Sequence, residues 1–390
     1  MKRAQHSNDR ETIGLEKAYI ETAFKIQNGD ELMKQRTVLA VAAVIIALAA
    51  VGWYAYLMYS PKPPKEFLFY AQTLQGPIIE RVAGPIMLQR FNTKIIYEDL
   101  LVSEQYSKLL AQKDKPQVSV VTTTDVEFQM GKAAGLWEKL DPNIVTNIKD
   151  LFPLARTEPY GEYSVGFAVW TVVIQYNTKV FQEKGFQPPK GYADLFRPEF
   201  AGKVGLTSTT STVGIVNLVM LARMNGGSER NIDPGFALAK KLRPSIHSFP
   251  TKSSVVNDLF TKGELWISTQ YCEGAYDFAS KGAAIGIVYP EEGVPYGVLT
   301  IQVVKNAPHQ REAQEFVNLM LSPEVQAALA TERWVIPTNS KTKLPTTHSS
   351  VMPHTTEQFA KLAMMDWLYV SEHKNEWHER WIKEIEAGAS

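Results

Sequence analysis

The chain has 390 residues, with 41 basic and 41 acidic side chains and a formal net charge of +0. Neutrality leaves no electrostatic case for nucleic acid or another polyanion as partner. A lone cysteine, Cys272, excludes an intramolecular disulfide framework, so any extracytoplasmic domain must be held by its core, for which 45% apolar residues are adequate.

In chain order, residues 1–36 form a tail of mixed charge. Within it, residues 16–35 can wind into an amphipathic helix against a membrane or a partner, or remain solvated. Residues 38–59 (VLAVAAVIIALAAVGWYAYLMY) hold no charge, no proline and one glycine. At about 1.5 Å rise per residue they cross the ~30 Å hydrocarbon layer of a bilayer as one helix. Trp53, Tyr54, Tyr56 and Tyr59 gather toward its C-terminal end, where an aromatic belt meets headgroups. Lys17, Lys25, Lys34 and Arg36 precede the run and only Lys62 and Lys65 follow closely, which places the N-terminus in the cytoplasm. A signal peptide cleaved after Ala47-Leu48-Ala49 is the competing reading. The long tail and the continuing apolar run favour an uncleaved anchor over 37–59.

Residues 60–65 (SPKPPK) make a short, stiff spacer. Beyond it, short apolar strands alternate with amphipathic helices, the pattern of a mostly parallel sheet covered on both faces. Strands are expected at 66–71, 93–98 and 118–121, with helices at 76–91 (broken or restarted at Gly84-Pro85) and 103–112. Asp125 is placed to cap the helix after the third strand. Residues 166–176, β-branched and aromatic almost throughout, suit a long strand leaving one domain for another. A strand at 203–206 runs into Thr207, Ser208, Thr209, Thr210, Ser211 and Thr212, then a helix at 213–224 closes at Asn225-Gly226-Gly227. Strands at 265–269 and 285–289 flank a helix at 273–280, and a strand at 299–304 returns to the first domain. Helices follow at 312–321, 323–330 and 355–370, then a last one with Trp377 and Trp381 one turn apart. Residues 341–353 read as a structureless surface excursion.

Two features carry chemistry of their own. Ser208 to Thr212 set hydroxyls and free N–H groups at a helix N-terminus, a ready anion site without a cation. Glu273, beside Tyr271, opens the helix after a strand and can neutralise an ammonium; the helix dipole alone also accounts for it. His373 and His378 are five apart, off the spacing that puts two metal ligands on one helix face. Cys272 reads as a small buried residue. No nucleophile elbow, HExxH, phosphate loop or paired-cysteine set points to an enzyme, a cofactor or a metal.

Several segments in order resemble the extracytoplasmic substrate-binding proteins of ABC importers, in the branch that includes polyamine, ferric-ion, thiamine and aminoethylphosphonate binders. They are YNTKVF (176–181), DLFRPEFAGKVGL (194–206), GEL (263–265), YPEEG (289–293), VVKNAPHQREAQEFVNLMLSPEVQAAL (303–329) and WVIPTN (334–339). The resemblance implies an α/β fold of the two-lobe periplasmic-binding-protein type (type II). Its crossovers fall near 165–172 and 294–300, and ligand sits between the lobes. The first lobe is then 66–167 with 298–390, and the second 168–297. Thr73, Thr122 and Thr124 fall where first-lobe contacts occur in that family. Tyr160, Tyr163, Trp170 and Tyr296 lie near the crossovers as aromatic walls or as core.

The chain departs from the polyamine pattern, because Gly297, Val298 and Leu299 follow YPEEG where those proteins place a Trp and an Asp. Tyr271 and Tyr276 are not adjacent, as clustered ferric-ion ligands would be. A small zwitterion or anion is therefore expected over polyamine or iron. The expected function is a membrane-anchored, extracytoplasmic binding protein that hands a small polar solute to ABC permease subunits. A membrane-anchored sensor or docking module of the same fold is the alternative.

Overall fold

The apolar run lies inside one helix, α1 (Gln5–Tyr59). The stretch Glu16–Tyr59 is long and apolar enough to cross a membrane. The structure, a computed structural model, describes residues 5–59, 62–71, 75–157 and 159–387. It divides the chain into Met1–Pro63 and Pro64–Ser390. Ser60, Pro61 and Thr73 lie outside the described residues. Lys65, counted with the spacer above, already belongs to the first strand.

The second unit opens with β1 (Lys65–Ala71), α2 (Gly76–Phe91), β2 (Thr93–Asp99), α3 (Val102–Ala111), β3 (Val120–Thr123) and α4 (Asp125–Ala133). Helix α2 is not broken at Gly84-Pro85. Ile79, Ala83 and Met87 keep one face buried, and the helix runs through the proline. The long strand β4 (Val165–Asn177) then leads to α5 (Thr178–Lys184), β5 (Val204–Gly205), α6 (Thr212–Met224), α7 (Asp233–Leu242) and β6 (Ile246–Ser248). Next come α8 (Ser253–Thr261), β7 (Ile267–Tyr271), α9 (Cys272–Ser280), β8 (Ile285–Val288) and β9 (Val294–Val303). The chain ends with α10 (Gln310–Met320), α11 (Pro323–Arg333), β10 (Ile336–Pro337), α12 (Thr346–Ser349), α13 (Thr356–Phe359), β11 (Leu362–Ala363) and α14 (Trp367–Trp381).

Two strands tie the lobes together. In the first lobe β1 pairs in parallel with β2 and β3, and β3 pairs antiparallel with β9. Strand β4 pairs with β9 from Val165↔Ile301 to Thr171↔Tyr296. From Val172 onward it pairs instead with β7, and with β8 at its end, so it enters the second lobe. Because β4 is covered on both faces, its sequence is continuously apolar rather than alternating. Phe67, Phe69, Met87 and Phe316 anchor the first lobe's core; Tyr192, Phe200, Val216, Leu218 and Phe236 anchor the second.

The C-terminal part differs from the expected lobe assignment. β11 pairs with the start of β9, and Met365, Val370, Trp377, Trp381 and Ile385 pack into the second lobe's core. Residues from about 362 onward therefore lie with the second lobe, because their aromatic face is needed to cover α6 and α7. Nor is 341–353 a loose excursion. His348 stacks on Trp334 at 3.8 Å, Met352 is buried, and the Tyr276 hydroxyl donates to the Val351 carbonyl. The helix expected at 355–370 is interrupted by β11, and α14 starts at the Asp366 cap.

Candidate functional site

A cleft of about 670 Å³ opens where several helices begin. Gln75 at the cap of α2, Thr124 at the cap of α4, Thr212 at the start of α6, Ser253 at the start of α8, and Glu273 with Gly274 in the first turn of α9 all line it. Ligands in such sheets sit beyond the carboxyl ends of strands, where helix N-termini offer free N–H groups and positive dipole ends. The N-termini of five helices therefore converge on this space.

Trp170 and Trp334 wall it. Trp170 lies edge-on to Tyr271 at 5.5 Å and 79°. It can do so because it faces Gly297 across the ladder, where a Cβ would come within 2.2 Å of the indole. The glycine that breaks the polyamine pattern is thus the seat of a different tryptophan. Trp334 ends α11 in the left-handed region, φ 58°, a conformation costing a non-glycine residue roughly 1–2 kcal/mol. Its stack on His348 holds it there.

The charges sort into paired and free. Asp277 holds Lys281 at 2.6 Å, and Glu332 holds Arg81. Arg333, at the end of α11, makes no hydrogen bond or ion pair among the described residues. Glu273 has only the Cys272 thiol, which donates to Oε2 at 3.4 Å. Burial pushes the Glu273 carboxyl up to about 7; its own backbone N–H, the Cys272 thiol and the Arg333 charge pull it down without cancelling that rise. Gln75 is 6% exposed, and its amide has no partner among the described residues. Among the described residues, a cation and an amide without hydrogen-bond partners, and a carboxyl held only by a thiol, thus face one cavity. Cys272 itself is fully buried, with its thiol pushed well up by burial.

The expected site residues divide. Thr124, Thr212, Tyr271 and Glu273 are together in the cleft. The Thr124 hydroxyl is engaged by Glu127, and burial raises the Tyr271 phenol to about 12, which a hydrogen bond with Thr212 partly offsets. Thr122 is buried behind them, its hydroxyl 3.5 Å from the Tyr70 carbonyl.

In the turn before α6, expected as an anion site, the two leading hydroxyls are committed within the protein. Ser208 donates to Glu386 at 2.8 Å, Thr209 bonds His378 Nδ1 at 2.9 Å, Thr210 is exposed, and Ser211 caps Val213 N–H. The turn packs so closely on its helix that a Cβ on Gly214 would lie 2.1 Å from the Ser208 carbonyl. Ser208 and Thr209 thus bind the C-terminal segment, and His378 is a structural partner of the turn. Tyr296 faces a separate cavity, and Asp125 is no cap. Thr124 precedes it, and the Asp125 carboxylate is buried, accepting from Val298 N–H and the Tyr160 hydroxyl. The sequence reading missed Gln75, Ser253, Arg333 and Trp334. Trp334 heads the WVIPTN segment and Arg333 immediately precedes it.

Fold and cleft define a two-lobed α/β binding protein. Residues 89–356 match the family described as bacterial extracellular solute-binding protein, and the chain belongs to that family. It is 25% identical over 255 residues to the spermidine/putrescine-binding periplasmic protein of Escherichia coli, covering 63% of this chain and 72% of that one. A Salmonella typhimurium protein provisionally named as 2-aminoethylphosphonate-binding and periplasmic is 22% identical over 243 residues, 60% of this chain and 66% of that one. In structure it is similar to an ABC transporter protein from Clostridium perfringens. The TM-score is 0.71 at 20% identity, over 82% of this chain and 99% of the other. These are solute-binding proteins of ABC importers, which bind what they carry rather than transform it.

Proposed function

We propose that the protein is anchored by α1, captures a small zwitterion in the interlobe cleft and delivers it to ABC permease subunits. The observation that carries the ligand class is the pair of free charges, Arg333 and Glu273, facing one cavity lined by helix N-termini. An anionic end fits Arg333 and the N–H groups; an ammonium fits Glu273. Trp170 and Trp334 supply the apolar walls between. A polycation would leave Arg333 facing like charge, and a plain anion would face Glu273.

Calorimetry on the detergent-solubilised full chain tests this with 2-aminoethylphosphonate and 4-aminobutyrate against ethylphosphonate and putrescine. The zwitterions should bind more tightly than either the anion or the cation. Tightest binding by putrescine would show that the cleft is built for cations and end this reading.

The anchor makes a second prediction. In its native host the protein should fractionate with membranes, resist salt extraction and begin at its own N-terminus; a soluble form starting near Ala50 would contradict it.

Glu273 also fixes the expected pH response. Its folded pKa near 7 lies above the ordinary 4.5. The unliganded fold therefore binds that proton more tightly than the unfolded chain does. This increment of stability is full below the unfolded pKa and disappears as pH rises through 7. Capture of an ammonium needs the ionised form, so affinity should run the opposite way. For 4-aminobutyrate, whose own groups do not titrate in this range, it should rise about tenfold from pH 6 to 8. Glu273→Gln should flatten the profile, and an unchanged slope in that variant would remove Glu273 from the site.

A further inference from the structure

A second cavity, of about 440 Å³, lies on the other face of the strands that join the lobes. Side chains alternate along β9, so Gly297 and Leu299 point toward the cleft while Tyr296 and Val298 point away from it. Tyr296 lines this rear cavity together with Asp125 and Tyr160 from the first-lobe side, and Glu229, Met365 and Trp367 from the second. The volume falls in the range of small-molecule sites, about 300–1,000 Å³.

Its lining has one sign. Asp125, Glu229 and Asp366 contribute carboxylates, and among the described residues no lysine or arginine lines it. Arg223 and Arg230 neutralise Glu229 and Asp366 without themselves lining the cavity. Asp125 has no cationic partner, only the Tyr160 hydroxyl and Val298 N–H. Three aromatic rings, Tyr160, Tyr296 and Trp367, and two thioethers, Met364 and Met365, complete the wall. Rings of this kind attract a cation over their faces.

A second observation points to an occupant. Tyr296 is only 8% exposed, yet its hydroxyl has no hydrogen-bond partner among the described residues. The residue is buried but its hydroxyl is open to the cavity, close enough to feel the Asp125 charge, and so is available to a partner within it. Two neighbouring polar groups are engaged: Trp367 Nε1–H donates to the Tyr296 carbonyl at 2.8 Å, and Asp366 N–H donates to Glu229 at 3.1 Å, while the Gln129 amide, which also lines the cavity, has no partner among the described residues.

We propose that the rear cavity is a binding site for a small primary ammonium, which donates to the Tyr296 hydroxyl and lies against the Asp125 charge between the aromatic rings. Because α4 belongs to the first lobe and Met365 and Trp367 pack with the second, the bound cation touches both lobes from the side opposite the cleft. The site is independent of the zwitterion reading, and its test is arranged to keep the two apart.

The probe is n-butylammonium, with n-pentanol as the neutral control, titrated calorimetrically into the full chain and into its Glu273→Gln variant, which lacks the free carboxylate of the cleft. Saturable binding of the amine, retained in Glu273→Gln and absent for the alcohol, is expected. Tyr296→Phe removes a hydroxyl that holds nothing in the fold, so it should fold normally and weaken the amine about three- to tenfold, the worth of one hydrogen bond. Asp125→Asn should weaken it further, with circular dichroism as the check that its bonds to Tyr160 and Val298 survive. No saturable binding, equal binding of the alcohol, loss of binding in Glu273→Gln, or full affinity in Tyr296→Phe would each overturn the assignment.

Discussion

Arg333→Ala is expected to weaken capture of a zwitterionic solute by about 10- to 100-fold, the worth of charge-assisted hydrogen bonds that lose their donor. The neighbouring charges cannot replace it. Lys281 is held by Asp277 at 2.6 Å, and Arg81 is committed to Glu332. Among the described cations lining the cleft, Arg333 has no hydrogen bond or ion pair, and it stands at the end of a helix whose C-terminal dipole favours a cation there. Arg333→Lys should recover part of the loss, since it restores the charge but not the planar fork that suits a carboxylate or phosphonate. Thr209→Val is the control: its hydroxyl bonds His378 behind α6 and does not line the cleft. Calorimetry with 4-aminobutyrate separates these outcomes. Affinity within twofold of the parent in Arg333→Ala would remove the residue from the site, and a large loss in Thr209→Val would return the turn before α6 to it.

The difference between Arg333 and Thr209 shows which features a linear reading can weigh. Residues 208–212 advertise hydrogen bonding at a helix start, and that is a local property visible in sequence. Whether those hydroxyls face ligand or another helix depends on α14 and the helical turn after it, which arrive some 170 residues later to offer His378 and Glu386. Glu273 and Thr212 were legible because a residue just after a strand and at a helix start is placed at the cleft by topology alone. Nothing in the sequence distinguishes Arg333 from the chain's other charges, and only the pairing of its neighbours sets it apart. Strand β4 was legible as a lobe-joining element from its unbroken apolar composition. The return of residues beyond 362 to the second lobe was not, because Trp377 and Trp381 specify a buried face without saying which core it covers.

Trp381→Ala is expected to cost the second lobe about 3–5 kcal/mol, the range for deleting a large buried aromatic side chain. Trp381 is 0% exposed and packs edge-on to Phe249 at 5.8 Å and near Phe236 at 6.4 Å. Its Nε1–H donates at 3.0 Å to the same Glu386 oxygen that accepts from Ser208, so the loss is both a cavity and a broken polar link. Arg380 lies over the Phe236 ring, and Arg380 and Lys240 both pair with Glu384, but these pairs are more than a tenth exposed and contribute little by themselves. The effect should therefore be read at the backbone of the elements Trp381 covers. Hydrogen exchange of α6 and α7 amides in the full chain should accelerate by roughly two to three orders of magnitude, while exchange in β1 and α2 of the first lobe changes less. Trp381→Phe should keep most of the packing and lose the bond to Glu386, a smaller cost of about 1 kcal/mol. If α6 and α7 exchange as slowly in Trp381→Ala as in the parent, α14 is an appendage rather than part of the second lobe's core. If they open, the same loss should reach Thr212 at the start of α6, and with it the cleft.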